Sequence, residues 1–107
     1  MNKITICNAF SINMLTSDFN LITFKKVSLN EARDILSHYF HVVSAVGHTD
    51  TAAVFSDQLK MDIPVNRHNV VFDDNDVLLI GQLKGGRLPE GTTTLPDNAT
   101  IEWWLVN

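Results

Sequence analysis

A single cysteine, Cys7, is present, so no disulfide can close within the chain and no thiol pair can anchor a zinc site. A reducing, cytoplasmic setting is the expectation. No run of eighteen apolar residues occurs, so no segment reads as membrane-spanning. The chain's start lacks the charged opening and apolar stretch of a secretory leader. Positive charge is scarce. Eight Lys and Arg face twelve Asp and Glu, for a net charge of −4 and a pI near 5.3. This speaks against a surface that coats duplex nucleic acid or long RNA, but not against one small phosphate ligand held by a few local cations. Arginine is limited to Arg33, Arg67 and Arg87. No histidine pair at helical spacing stands near a glutamate, so neither a metal nor another cofactor is expected. Repeats, linkers and low-complexity tracts are also missing.

What is present is one domain's worth of globular sequence, 107 residues with 45% hydrophobic and 19% charged. A core of that size is small, and dimerisation would add to it. Lys3–Cys7 alternates as a strand with Ile4 and Ile6 on one side. Ser11 can cap one helical turn through Leu15. Leu21–Val27 is rich in β-branched and aromatic residues and predicts a strand. Ser28 and Glu31 form a capping box, and Leu29, Ala32, Leu36 and Tyr39 then follow at helical spacing, predicting a helix that ends near Phe40. A strand over Val42–Val46 and a helix over Asp50–Leu59 follow, the latter with Ala52, Phe55 and Leu59 inward. Val70–Phe72 and Val77–Leu83 predict a hairpin about the turn Asp73–Asp76. Lys84–Pro96 reads as a flexible loop and Ile101–Val106 as the last strand. Together these predict an α/β (α+β) domain with a mixed sheet of about five to six strands and helices packed on it.

The segment Val46-Gly47-His48-Thr49-Asp50 joins a strand end, a glycine turn and a helix start. It places His48 beside free backbone N–H groups and a positive dipole end, which suit a phosphate. Read alone, His48 fits better as a residue that caps the helix or packs where it begins, since lone histidines are usually structural or solvated. His38 and His41 flank the end of the first helix, and His68 follows Arg67. Arg33 is expected on a solvated helix face. Arg87 and Glu90 lie in Gly85-Gly86-Arg87-Leu88-Pro89-Glu90-Gly91, either an ordinary surface loop or a lid whose arginine meets a phosphate. Trp103 and Trp104 must point to opposite faces of their strand, so one is core.

Several segments together resemble one family. They are Asn8-Ala9-Phe10-Ser11-Ile12-Asn13-Met14-Leu15, Gly47-His48 before a polar-started helix, Asn66-Arg67 before a strand, Gln82 at a strand end, and Arg87-Leu88-Pro89-Glu90-Gly91. This ordered set is similar to the viral anti-CRISPR ring nucleases, which include B116-like domains, and covers most of the chain. Pro89 departs from the acidic residue usual there. Thr92–Ala99 is too short and too poor in helix formers for the extra helix some members carry. The resemblance implies a homodimer that binds cyclic tetra-adenylate across its two-fold axis and cleaves it without a metal, countering type III CRISPR signalling. It implies catalytic roles for His48, Arg87 and Glu90, and ligand-binding roles for Asn8, Ser11, Arg67 and Gln82. The alternatives are a module that binds a cyclic nucleotide without cutting it, or an interaction protein of a mobile element.

Overall fold

The computed structural model describes residues 3–107. Met1 and Asn2, where the leader expectation begins, lie outside the described residues. The first strand, β1 (Lys3–Cys7), buries Ile4 and Ile6 completely. A single 3-10 turn over Ile12–Met14 follows, with the Ser11 hydroxyl accepting from the Asn13 N–H. Next come β2 (Phe24–Val27), α1 (Leu29–Ser37), β3 (His41–Ser44), α2 (Thr49–Leu59), β4 (Leu78–Lys84) and β5 (Thr100–Val106). The five strands form one mixed sheet in the order β2-β5-β4-β1-β3. β1 runs parallel to both β3 and β4, whereas β5 is antiparallel to β4 and β2.

Both helices cover the same face. Ala32 and Leu36 of α1 and Ala52, Phe55 and Leu59 of α2 pack with Ile4, Ile6, Leu79 and Trp103. Phe55 and Trp103 meet with ring centroids 4.9 Å apart, directly over Gly81. On the opposite face, Phe10, Met14 and Leu15 fold back with Phe72 over Leu78, Ile80 and Val106. Trp103 is thus core and Trp104 lies half-buried on the other side, as strand alternation requires. Cys7 is buried beneath the fold-back segment, and burial pushes its thiol up to about 11.

The capping box forms as expected: the Ser28 hydroxyl accepts from the Glu31 N–H at 3.0 Å, and the Glu31 carboxylate accepts from the Ser28 N–H at 2.8 Å. Four expectations need correction. Residues 70–72 do not make a strand; their pairing is one isolated bridge between Leu15 and Phe72. Both flanks of β4 are already taken, by β1 and β5, so a hairpin partner has no edge to join. The turn itself exists, with the Asp76 N–H donating to the Asp73 carbonyl. Second, β2 starts at Phe24 rather than Leu21, because β5 ends opposite it and Leu21 is left exposed. Third, α1 stops at Ser37 with His38 as its C-cap, and Phe40 turns outward. There Ser37 Oγ and His38 Nδ1 engage the Asp34 carbonyl in place of another helical turn. Fourth, β3 ends at Ser44: the Ala45 N–H still donates to the Ile6 carbonyl of β1, but the Val46 carbonyl turns to the Asn66 N–H instead.

Candidate active site

The three parallel strands end on one side of the sheet, and six of the residues singled out from the sequence sit near or beyond those ends. Asn8 and Ser11 follow β1, His48 follows β3, Gln82 is near the end of β4, and Arg87 and Glu90 come after it. The region beyond the carboxyl ends of parallel strands is where α/β sheets commonly receive ligands.

The chain reaches His48 through a braced turn. Ser44 Oγ donates to the Pro64 carbonyl and accepts from the Val46 N–H. Asn66 closes the other side, its backbone N–H on the Val46 carbonyl and its side-chain amide on the Ser44 carbonyl. Gly47 then lies under Arg67, whose Nε and Nη2 donate to the Gly47 carbonyl at 3.4 and 3.2 Å. His48 is the N-cap of α2 by its backbone, the carbonyl accepting from the Ala52 N–H. Its imidazole makes no capping hydrogen bond and is exposed. The structural role that competed with catalysis in the sequence, a side-chain cap, is therefore not taken.

A cavity of about 830 Å³ opens beside it, lined by His48, Thr49, Asp50 and the run Arg87–Gly91. The loop reaches this place by defined steps. Gly85 leaves β4 at φ +102 where a side chain would strike the Asn98 backbone. Pro89–Thr92 then forms a tight turn, with the Thr92 N–H and hydroxyl both on the Pro89 carbonyl and Gly91 at φ +84. The departure at Pro89 thus has a local use, opening the turn that carries Glu90. No helix forms over residues 92–99. Arg87 and Glu90 are both exposed and make no ion pair with each other among the described residues.

The structure therefore brings His48, Arg87 and Glu90 around one cavity and fixes Arg67 beside Gly47. Asn8 and Ser11 instead line a neighbouring cavity of about 590 Å³, together with Asn13 and His68. Gln82 faces a cleft of about 400 Å³ with Phe10, Phe24 and Trp104. Asp50 carries no site signal in the sequence, whereas Asn13 belongs to the first family-like segment and His68 to the weaker histidine candidates. Among the described residues no three His, Cys, Asp or Glu side chains meet as a metal-binding group, and no helix is long and apolar enough to cross a membrane. Arg33 also needs correction: it is half-buried and donates through Nε to the Gln58 carbonyl at 2.8 Å, tying α1 to the end of α2.

These features define a class, a small α+β domain whose parallel strand ends carry an open polar site. The chain belongs to the STIV B116-like family, whose profile matches residues 4–102. Its structure is similar to B116 of Sulfolobus turreted icosahedral virus, with a TM-score of 0.75, 27% identity and 97% of each chain covered. Two viral sequences are also similar. Uncharacterized protein 26 of Sulfolobus islandicus filamentous virus (isolate Iceland/Hveragerdi) is 34% identical over 86 residues, 80% of this chain and 71% of the relative. Uncharacterized protein ORF117 of Acidianus two-tailed virus is 40% identical over 68 residues, 63% of this chain and 57% of the relative.

Proposed function

We propose that this protein is a ring nuclease that opens cyclic tetra-adenylate, counteracting type III CRISPR signalling in the cytoplasm. The observation that carries the reading is the meeting of His48, Arg87 and Glu90 around one cavity at the start of α2. The substrate supplies its own nucleophile. A ribose 2′-oxygen forms a bond to the adjacent phosphorus, the bond from phosphorus to the 5′-oxygen breaks, and a 2′,3′-cyclic phosphate remains. Protonated His48 gives its proton to the departing 5′-oxygen, and Glu90 or solvent takes the 2′-hydroxyl proton. Arg87 stabilises charge on the phosphoryl oxygens. Arg67 and the N-terminus of α2 add positive potential in a chain that is acidic overall. Asn8 and Ser11, and Gln82, line two other cavities and are assigned to other parts of the ring by the family resemblance alone. These steps use the chain's own side chains and require no metal or cofactor.

A homodimer is part of this proposal. A cyclic tetranucleotide can be two-fold symmetric, so two copies of the site would present matching groups to opposite linkages and double the arginines near the ligand.

A second reading is a module that binds a cyclic nucleotide without cutting it, or an interaction protein of a mobile element. The relatives support it more readily than the first reading, since they are viral and carry no stated nuclease activity. Incubation with cyclic tri-, tetra- and hexa-adenylate in EDTA, followed by mass analysis, separates the readings. Linear products ending in 2′,3′-cyclic phosphate are expected from the tetramer. An intact ring that stays bound identifies a binding module, and no binding of any ring identifies an interaction protein.

A further inference from the structure

We infer that Asp50 is a positioning residue that latches the Arg87–Gly91 loop to the start of α2 and so sets Arg87 and Glu90 relative to His48. The purpose assigned to the latch rests on the ring-nuclease reading; the latch itself does not.

Asp50 is half-buried in the first turn of α2, two residues after His48, and lines the same cavity. Its Oδ1 accepts from the Gly91 N–H at 3.3 Å, across 41 residues of sequence. Among the described residues, this is the one hydrogen bond that joins residues 87–91 to the rest of the fold. The loop's other hydrogen bonds, from Thr92 to Pro89, are internal to its own turn. Gly91 presents its N–H to Asp50 from a left-handed conformation, φ +84, that other residues rarely adopt. The carboxylate is otherwise out of place. It stands in a cavity read as receiving phosphates, and it makes no ion pair there among the described residues. A hydrogen-bond acceptor for the loop, favoured by the helix dipole, accounts for its presence. Fixing the turn at Gly91 fixes the adjacent Glu90 and limits the reach of Arg87, while leaving both side chains free for a ligand.

The test compares wild type with Asp50→Asn, which keeps the oxygen acceptor and drops the charge, and Asp50→Ala, which removes the acceptor. Circular dichroism checks that each is folded. In ligand-free protein, hydrogen exchange at the Gly91 amide is expected to speed up roughly tenfold in Asp50→Ala and to stay within about twofold in Asp50→Asn. With cyclic tetra-adenylate, kcat is expected to fall roughly tenfold in Asp50→Ala with little change in KM, and to recover in Asp50→Asn. Unchanged Gly91 exchange in Asp50→Ala overturns the latch. Faster exchange with unchanged kcat overturns the positioning role. An Asp50→Asn protein that behaves like Asp50→Ala shows that charge, not the hydrogen bond, matters, and also overturns it. If wild type cleaves nothing, the ring-nuclease reading fails while the Gly91 exchange still decides the latch.

Discussion

Arg67 lies flat enough against Gly47 that a β-carbon there would stand 3.2 Å from Arg67 Cβ and Cγ and 3.3 Å from Nε. Glycine at 47 therefore allows the guanidinium to reach the Gly47 carbonyl next to His48. Gly47→Ala should push Arg67 aside by a few tenths of an ångström. Because Arg67 is exposed, the fold should lose less than about 1 kcal/mol. Affinity for cyclic tetra-adenylate should fall more clearly, by roughly three- to tenfold, as titration calorimetry beside thermal denaturation would show.

Gly81 makes the opposite case. A β-carbon there would fall 2.6 Å from Phe55 Cζ and 2.7 Å from Trp103 Cζ3, inside the core between sheet and α2. Neither ring has open space to enter. Gly81→Ala should destabilise the protein by about 1–3 kcal/mol through overpacking, read as a lower urea midpoint with an unchanged slope.

Much of this was legible locally and little of it at long range. The capping box is written in four consecutive residues, Ser28 to Glu31, and the structure forms it as read. The inward faces of β1 and α2 follow from the spacing of Ile4 and Ile6, and of Ala52, Phe55 and Leu59. Residues 70–72 look like a strand because they are apolar, but the place beside β4 is occupied by β1, which no local pattern reveals. Asn66 and Arg67 stand out in the sequence, yet their hold on residues 44–47 is a tertiary contact without a sequence period. Asp50 reads as an ordinary acidic residue in a first helical turn, and its partner Gly91 is too distant in sequence to suggest the pairing.

Arg33 is the clearest case of a residue whose work is tertiary. Its bond to the Gln58 carbonyl places a cation at the C-terminal end of α2 and joins the helices. Arg33→Ala should cost about 1–2 kcal/mol, where a solvated arginine would cost almost nothing. Chemical denaturation distinguishes the two.

Glu31 makes part of the stability pH-dependent. Its carboxyl is held below its usual 4.5, first by the Ser28 backbone N–H, with the Ser28 side chain and Lys25 adding to the effect against a small opposing desolvation. A lowered folded pKa means that the stabilisation is complete above the usual value and is lost as pH falls through the folded one. The stability gap between wild type and Glu31→Ala should thus be widest near neutral pH and narrow below about pH 4.5. A gap that grows on acidification would contradict the assignment.

His48 is exposed at the start of α2, uncommitted to capping, with the Arg87–Glu90 loop across the same cavity. The most direct measurement is single-turnover cleavage of cyclic tetra-adenylate in EDTA by wild type and His48→Ala, with binding measured in parallel. Linear product is expected from wild type, with a rate lower by roughly a hundredfold or more in the variant and binding retained. Equal rates in the two proteins would contradict the acid role of His48.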